Sequence, residues 1–434
     1  MMMTSNHSQP GIKHFGEIKL DYPSPIHLSN GIPVWVIGNG EDEINRLAIY
    51  MGGGVYQESI PMQAFLTALM STEGHEKMTA SEMAEALDYY GSWKSSQSHD
   101  QYTSITLFSL NRNFENTLKI VFDSITSPSF PDHEFNLYKK RIASNIETAR
   151  KRVKYLANEK IKQLYYGENH PLARPATPEA ILSIDKEMLQ SFHGKHFHSN
   201  NCQLIIAGKI SDSELALLES SFGQWSNPGE KFREAAVEIN PAREMFTMVD
   251  QPGAVQSAIA ITIKAIPRRH PDYFKLRLAI TALGGYFGSR LNANIREEKG
   301  YTYGISSMLA GRKDDSHISI STECATRYTW LIIEEIKKEI KTLQQELMPM
   351  QELDIVKQYM LSDQVKIFDT PFNLASHISN SFLYGIYSEY FNNQIASIHA
   401  TTPQDVMDMA RKYLHEDHMR IVIAGDTKSL KKYK

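Results

Sequence analysis

A chain of 434 residues is longer than one hydrophobic core usually supports, so two or more domains are expected. Hydrophobic residues make up 41% and charged residues 22%, as in an ordinary globular protein with ample material for a core. The 46 basic and 50 acidic residues leave a net charge of −4, which excludes the strong electrostatic attraction on which nucleic-acid-binding and membrane-surface proteins rely.

The cysteine content and the N-terminal sequence bear on the compartment. Two cysteines, Cys202 and Cys324, are too few for a chain of this size to depend on disulfide bridges, which indicates a reducing compartment or a fold that is indifferent to redox conditions. The N-terminal stretch MMMTSNHSQPGIKHF lacks the apolar segment of a secretory signal. The expected location is therefore cytoplasmic, with the periplasm as the alternative if a signal has been removed. No apolar run is long enough to span a bilayer, so no membrane partner is expected.

Strand and helix patterns follow one another without strict alternation. In the first half, IPVWVIG and RLAIYMG predict strands, and TASEMAEALDYYG predicts a helix with Thr79 and Glu82 as a capping box and Gly91 beyond its end. In the second half, VQSAIAITI predicts a strand, and residues 326–345 predict an amphipathic helix. This order favours an α+β fold, with mixed or antiparallel sheets packed against helices, over a doubly wound parallel sheet.

Two segments of the chain occur twice in the same order. QLIIAGKI, which contains Gly208, is repeated as RIVIAGDT, which contains Gly425, at an offset of 217 residues. PDHEFNLYKKRIA, from Pro131, is repeated as PMQELDIVKQYML, from Pro349, at an offset of 218. Nearly equal offsets predict two structurally similar halves, each with an α/β-layer domain.

The junction between the halves is expected in SNPGEKFREAAVEINPAR, residues 226–243, because this stretch is polar, contains proline and glycine, and has no periodicity. The predicted N-terminal domain therefore covers residues 15–225. The predicted C-terminal domain covers residues 244–434.

Histidines are the first candidates for chemistry. His193, His196 and His198 lie close together in SFHGKHFHSN, but spacings of three and two suit neither one helical face nor facing strands. We interpret them as a solvated histidine cluster rather than a metal site. His75 lacks a second histidine in helical register, and His99 opens a strand pattern. The sequence predicts no metal site on this chain.

The glycine-rich stretch LGGYFGS, residues 283–289, is a weak candidate for phosphate binding. It lacks the G-K-[ST] sequence of a P-loop, and the preceding pattern is helical rather than a strand. The glycines are expected to let one helix end and another begin close by. No G-x-S-x-G nucleophile elbow occurs, and no serine or cysteine has an evident base.

The stretch GSRLNANIREEKGYTYGISS, residues 288–307, predicts a short helix followed by a strand. Ser289 is placed to cap the helix, Leu291 and Ile295 share one buried face, and Gly300 is the expected C-terminal residue in a left-handed conformation.

After Gly300, the alternation in YTYGISSML places Tyr301, Tyr303 and Ile305 on one face of the strand. Arg296, near the helix end, and Tyr303, near the strand start, could then converge. Both donate hydrogen bonds, which suits a peptide carbonyl or a developing oxyanion. Local chemistry alone favours the simpler alternative, in which Arg296 is a surface cation and Tyr303 a core aromatic with a polar tip.

The same stretch closely resembles a motif block of the insulinase/pitrilysin family, the inverzincin metallopeptidases. Two further segments resemble family motifs in the family's order, YGENHPLARPATPEAILSI at 166–184 and HFHSNNCQLIIAG at 196–208. The duplicated halves also fit the two-domain subunits of this family. The resemblance covers most of the chain and implies the family's two-domain α+β fold.

The resemblance implies that a zinc motif should lie in MQAFLTALMSTEG, residues 62–74. Family members carry H-x-x-E-H there, with two histidine ligands, a glutamate base and a further glutamate downstream. In this chain the histidine positions hold Ala64 and Ala68, and the base position holds Thr67. The downstream glutamate falls near Asn145, with Glu147 as the alternative in an uncertain register. The zinc motif is vacated, because alanine cannot ligate a metal.

In paired members of the family, one chain carries the zinc motif and the other carries an arginine and a tyrosine that contact the substrate. By that resemblance, Tyr303 would hydrogen-bond the substrate carbonyl or the tetrahedral intermediate, and Arg296 would hold the adjacent peptide backbone. The implied function is a non-catalytic, substrate-binding subunit of a zinc peptidase. The cofactor, zinc, is expected on a partner subunit in a heterodimer, with a homodimer as the alternative, and peptides are the expected substrate.

Two other functions compete with this one. The first is a scaffold or binding protein with the peptidase fold and no part in proteolysis, against which the retained Arg296 and Tyr303 speak. The second is an autonomous metalloenzyme with an unrecognised site, for which the histidines at 193–198 would be the candidates.

Overall fold

Two β-sheets organise the part of the chain that the computed structural model describes, residues 18–386 and 388–434. The strands of the first sheet are β1 Ile26–His27, β2 Pro33–Ile37, β3 Ile44–Gly52, β4 Trp93–Ser98, β5 Tyr102–Leu110 and β6 Cys202–Gly208. Those of the second sheet are β7 Phe246–Asp250, β8 Gln256–Lys264, β9 Thr302–Gly311, β10 Ser316–Ala325 and β11 Arg420–Gly425.

Helices pack on both sheets. In the first half they are α1 Gln63–Met70, α2 Ala80–Tyr89, α3 Phe114–Thr126, α4 Asp132–Ala149, α5 Val153–Tyr166, α6 Pro178–Ser183, α7 Lys186–His196 and α8 Asp212–Ser221. In the second half they are α9 Tyr273–Ile280, α10 Thr329–Gln345, α11 Met350–Val365, α12 Pro371–Leu383, α13 Tyr390–Ala400, α14 Pro403–Tyr413 and α15 Thr427–Lys432. Among the described residues, none of these helices has the length and apolar character needed to cross a membrane.

Apart from the short edge strand β1, the two sheets have the same strand order, which confirms the mixed α+β fold expected from the sequence. The first runs β1-β2-β6-β3-β5-β4 and the second β7-β11-β8-β10-β9. In each sheet the repeated Ala-Gly strand, β6 or β11, pairs in parallel with one neighbour and antiparallel with the other, and the remaining pairs are antiparallel.

The second repeated segment also occupies matching positions. Pro131 and Pro349 immediately precede α4 and α11. Lys139 of α4 donates to the carbonyl of Ile184, and Lys357 of α11 donates to the carbonyl of His399 over 2.9 Å. Equivalent lysines therefore tether equivalent helices to the chain beyond them, as two similar halves require.

Equivalent helices are exchanged between the halves. Helix α5 packs its Val153 and Ala157 against Ala258 of the second sheet. Helix α12, about one repeat length later in the chain, packs Ala375 and Ile378 against the first sheet. Each sheet thus has one face covered by a helix that the chain order assigns to the other half.

The predicted capping box is confirmed, because the Thr79 side chain accepts from the backbone of Glu82 and the Glu82 carboxylate accepts from the backbone of Thr79. The predicted linker, residues 226–243, contains no helix or strand. It is held against the first half, where the Gln101 side chain both donates to and accepts from the backbone of Ala235, over 2.8 and 3.0 Å. The domain boundaries at 225 and 244 remain predictions.

Candidate functional site

The glycine-rich stretch separates two helical segments, as expected. A π-helical segment, Thr281–Gly285, extends α9, and a second helical segment begins after Ser289 and becomes π-helical over Asn292–Glu298. Leu291 and Ile295 are fully buried, as predicted. Such π-helical turns often occur at functional sites because they alter side-chain direction locally.

Gly300 ends this segment with φ of +63°, the left-handed conformation that glycine adopts without strain. The next residue, Tyr301, donates its backbone N–H to the carbonyl of Ile295 over 2.9 Å. The chain therefore reverses sharply between Arg296 and Tyr303, as the sequence predicts.

Polar contacts fix the second segment in place. The Asn292 side-chain amide lies 2.9 Å from the carbonyl of Ile305 on β9 and 3.1 Å from the hydroxyl of Ser289. Arg290 forms a bidentate ion pair with Glu352 of α11, with contacts of 2.7 and 2.9 Å. Planar two-point pairs of this kind hold geometry better than single contacts.

A β-bulge directs Tyr303 into solvent. Ile305 pairs with Thr322 and Thr302 pairs with Cys324, so that Tyr303 and Gly304 together lie opposite a single residue of β10. The extra residue reverses the alternation of side chains. The prediction that Tyr303 and Ile305 share a face is therefore wrong, since Ile305 is buried and Tyr303 is 95% exposed. The alternative of a core aromatic at Tyr303 is excluded as well.

Two buried threonines hold the bulge. The hydroxyl oxygens of Thr302 and Thr322 lie 2.8 Å apart. Thr322 donates to the carbonyl of Gly304 over 2.8 Å, and the Gly304 N–H donates to the Thr302 hydroxyl over 3.1 Å. The backbone on either side of Tyr303 is therefore fixed while its side chain remains free.

The Tyr303 hydroxyl forms no hydrogen bond within the described chain, so it is available to a ligand. It borders a cleft of about 530 Å³ on the face of the second sheet that α5 covers. The polar side chains that line this cleft are Lys154, Gln256, Ser306, Ser321 and Glu323. A free phenol at the edge of a polar cleft can donate to a carbonyl or an oxyanion.

Arg296 and Tyr303 are not joined by a hydrogen bond or ring contact in the described residues. Arg296 stacks on the Phe287 ring, with 4.1 Å between guanidinium carbon and ring centroid, and its Nε lies 3.5 Å from the Glu297 carboxylate. Phe287 is 66% exposed and was not predicted as part of the site. Its signal in the sequence was an aromatic residue inside the glycine-rich stretch. The cation–π contact presents the guanidinium at the surface.

The vacated zinc motif lies on α1, and its positions are buried by the surrounding side chains. Ala64, Thr67 and Ala68 are fully buried, and both alanines belong to the core beneath the first sheet. The Thr67 hydroxyl donates to the carbonyl of Gln63 over 2.9 Å, within the helix. These three residues therefore supply no side chain that could bind zinc or activate water.

The downstream glutamate also has no counterpart that fits. Asn145 and Glu147 are both exposed on α4, and Glu147 lies 3.6 Å from Lys151 in a surface ion pair. Across residues 18–386 and 388–434, no three His, Cys, Asp or Glu side chains gather at a point that could hold a metal ion. The residues present do not fit the zinc of the family's peptidases.

The interpretation of His193, His196 and His198 as a solvated cluster is wrong. His196 and His198 are buried, and His193 is half-buried. His193 is hydrogen-bonded to the carbonyl of Ile125 at 2.8 Å, and His198 to the side chain of Asn201 at 2.8 Å. Burial lowers the pKa of His193 and of His196 to about 4, so both rings are neutral packing elements.

A buried carboxyl group beside α1 was missed by the sequence analysis. Glu58 is 7% exposed, and its Oε2 accepts from the backbone N–H of Ala64 over 3.3 Å. Burial raises the pKa of Glu58 to about 7, although that hydrogen bond and the nearby Arg174 guanidinium oppose the rise. Glu58 caps the vacated helix rather than facing a metal site.

Comparison with known proteins gives consistent matches. Residues 183–360 match the family model described as the peptidase M16 inactive domain. The chain is 21% identical over 400 residues to a Bacillus subtilis protein named uncharacterized zinc protease YmxG, covering 91% of this chain and 96% of that protein. It is 22% identical over 391 residues to a Helicobacter pylori protein named non-peptidase homolog YmxG, covering 88% of this chain and 89% of that protein.

A solved structure has the same fold. The crystal structure of a peptidase M16 inactive domain from Pseudomonas fluorescens matches with a TM-score of 0.82 at 22% identity, covering 92% of this chain and 97% of that one. With the motif block around Arg296 and Tyr303, these matches confirm the resemblance to the insulinase/pitrilysin family seen in the sequence, and residues 183–360 are similar to the peptidase M16 inactive domain.

Proposed function

We propose that this chain is the non-catalytic, substrate-binding subunit of a zinc-dependent peptidase pair. Tyr303 donates a hydrogen bond to the peptide carbonyl that is attacked at the zinc of a partner subunit. Arg296 holds the neighbouring part of the peptide backbone. Zinc is bound by the partner and not by this chain.

The single observation that carries the proposal is the contrast between α1 and the bulge in β9. On α1, the two positions that hold metal ligands in the family's peptidases are occupied by Ala64 and Ala68, which are buried in the core and contribute only packing. At the bulge, Tyr303 is held outward at the edge of a polar cleft by two buried threonines. An exposed phenol on a fixed backbone adds nothing to stability, whereas a preorganised donor is what an oxyanion needs.

The environment of Arg296 suits a peptide-binding role. Its guanidinium is stacked on Phe287 at the surface, and its Nε contact with Glu297 leaves most of its N–H donors unused among the described residues. A guanidinium group carries five N–H donors in a fixed planar fork, which lets it donate to carbonyls of a peptide backbone. The Arg290–Glu352 ion pair anchors the segment that carries Arg296, so that its position is set by α11.

A scaffold or binding protein without a part in proteolysis is the second candidate. The Helicobacter pylori relative named a non-peptidase homolog is the observation that favours it. A scaffold would use neither the free hydroxyl of Tyr303 nor the fixed bulge around it. The two candidates therefore differ in what the chain adds to a partner's peptidase activity.

The experiment compares peptide hydrolysis by this chain alone, by a zinc-bearing family member alone, and by the two together. The proposal expects no hydrolysis by this chain alone and a strong increase when it joins the zinc-bearing subunit. A complex that forms but hydrolyses peptides no faster than the zinc-bearing subunit alone would support the scaffold instead. Purification of the native protein with its bound partners also distinguishes the two candidates. A zinc-bearing partner supports the peptidase subunit, and a partner that is not a peptidase supports the scaffold.

A further inference from the structure

The outer edge of strand β7 has no partner strand, although the matching edge of the first sheet has one. In the first sheet, β1 pairs antiparallel with the outer edge of β2, where Ile26 lies opposite Val34. Val34 and Phe246 are equivalent, because each pairs with the residue four places before the repeated glycine, Leu204 or Ile421. Within the described chain the second sheet ends at β7, so the position that β1 takes in the first sheet is not occupied.

Alternate residues of β7 present their backbone groups to this free edge. In the ladder with β11, Ile421 donates its N–H to the carbonyl of Met245 over 2.8 Å. With this parallel register Thr247 bonds β11, whereas the N–H and C=O groups of Phe246 and Met248 point outward and have no partner in the described chain. No residue of β7 is fully buried, so the edge is accessible to another chain. Unpaired groups of this kind are a template for an added strand.

Helix α15 runs beside β7 and brings positive charge to it. Its first residue, Thr427, donates to the Asp250 carboxylate at the C-terminal end of the strand. Beyond its last turn, the Lys434 Nζ lies 5.1 Å from the centroid of the Trp330 ring, which stacks on Phe246 at the other end. The exposed lysines of this segment, none of which forms an ion pair in the described chain, are Lys428, Lys431, Lys432 and Lys434.

The two ends of the free edge differ in charge. Asp250 and Asp426 lie at the C-terminal end of β7, where each accepts a backbone N–H of α15. At the N-terminal end, the adjacent Arg243 and Glu244 offset one another, which leaves the lysines at the end of α15 as the excess charge. A carboxylate of an incoming strand is therefore attracted to the N-terminal end of β7 and repelled at the C-terminal end.

We infer that the free edge of β7 binds an extended segment of a partner protein, antiparallel to β7, with acidic residues on the C-terminal side of that segment. The antiparallel direction follows β1, which takes the same position on the first sheet. In that direction, the C-terminal side of the segment lies beside Phe246 and Lys434. A second copy of β7 fits less well, because it would bring two lysine-bearing α15 helices together. The inference needs no zinc-bearing partner and is independent of the role proposed for Tyr303.

Fluorescence anisotropy of the full chain with short labelled peptides tests the inference. The first peptide has alternating valine and threonine followed by glutamates at its C-terminal end. Its matched control has the same composition, with the glutamates at the N-terminal end. We expect saturable binding of the first peptide and binding weaker by about fivefold or more for the control, because the control places its carboxylates beside Asp250. A third peptide with proline in place of valine should not bind, since proline has no N–H for the ladder.

Amide hydrogen exchange locates the bound peptide. On addition of the first peptide, exchange should slow at the outward N–H groups of Phe246 and Met248. Exchange at Thr247 should stay as it was, because its N–H already bonds β11. Slow exchange at Phe246 and Met248 that depends on protein concentration without any peptide would assign the edge to a second copy and overturn the inference.

Charge reversal supplies the variants. Lys431→Glu combined with Lys434→Glu changes exposed side chains beyond the core, so the fold is kept. The double variant should bind the first peptide more weakly by about fivefold or more, while Lys140→Glu at an exposed position of α4 should bind it as the wild type does. Absence of saturable binding, or equal binding of the two glutamate peptides, would overturn the inference.

Discussion

The hydroxyl oxygens of Thr302 and Thr322 lie 2.8 Å apart, at the bulge that turns Tyr303 into solvent. Both side chains are buried, and both also bond the backbone of Gly304. The direction of the Tyr303 phenol is thus set by two hydroxyl groups beneath the strand rather than by any contact of the phenol itself.

Thr322→Val should therefore impair the site without touching Tyr303. Valine keeps the volume but loses the hydrogen bond to the Gly304 carbonyl, which should lower the free energy of unfolding by about 1 to 3 kcal/mol. With the bulge loosened, the activity of the proposed peptidase pair should fall as well. Denaturant unfolding and peptide hydrolysis measure the two effects.

The half-buried Thr342 of α10 provides the matched control, since its hydroxyl bonds only within its own helix. Thr342→Val should change neither quantity appreciably. Full activity in Thr322→Val would show that the bulge does not direct Tyr303.

Local patterns predicted the helical segment of the site but not the direction of its tyrosine. Leu291, Ile295 and Gly300 depend on contacts within a few residues, and all three were predicted correctly. The bulge depends on which residues of β10 face Thr302 and Ile305, a long-range register that period-two alternation does not contain.

The prediction that the histidine cluster is solvated was wrong for a related reason. His196 and His198 look like surface residues by type, but the helix end that carries them is buried by the linker and the neighbouring core. Likewise, the repeat predicted two similar halves but not the exchange of α5 and α12, because an offset in sequence does not tell which sheet a helix covers.

Restoring the zinc motif with Ala64→His, Thr67→Glu and Ala68→His should not create a zinc site. The three positions are fully buried, so larger side chains overpack the core, at about 1 to 3 kcal/mol each, and an unpaired carboxylate adds a desolvation cost. We expect a lower Tm and no stoichiometric zinc by metal analysis. One tightly bound zinc at an unchanged Tm would show that α1 retains space for the metal.

Glu58 should make stability depend on pH. Its pKa is about 7 when folded against an ordinary value of 4.5, so the folded state holds the proton more tightly. The stabilisation is complete below about pH 4.5 and is lost as pH rises through 7, about 3 kcal/mol in all.

Glu58→Gln stays neutral at every pH and keeps an acceptor for the Ala64 N–H. The unfolding free energy of the wild type should therefore fall relative to that of this variant between pH 5 and 8. A difference that is constant over that range would mean that Glu58 is ionised in the folded protein.

The exchange of α5 and α12 predicts that neither half folds alone. A fragment ending at residue 225 keeps α5 but loses α12, which uncovers Ile205 and Ala207 on the first sheet. We expect such a fragment to lack a cooperative unfolding transition, and co-expression of the two fragments to restore one. A fragment of residues 18–225 that unfolds cooperatively by itself would contradict this expectation.

The turnover number of the proposed peptidase pair with Tyr303→Phe, at full zinc occupancy of the partner, tests most directly whether Tyr303 acts at the partner's zinc. Loss of one oxyanion donor should lower kcat by roughly a hundredfold or more and leave assembly of the pair unchanged. The control is Tyr89→Phe, which removes the hydroxyl of a tyrosine that is 84% exposed in the first half and should have no effect. If kcat of Tyr303→Phe equals that of the wild-type pair, the Tyr303 hydroxyl takes no part in hydrolysis at the partner's zinc.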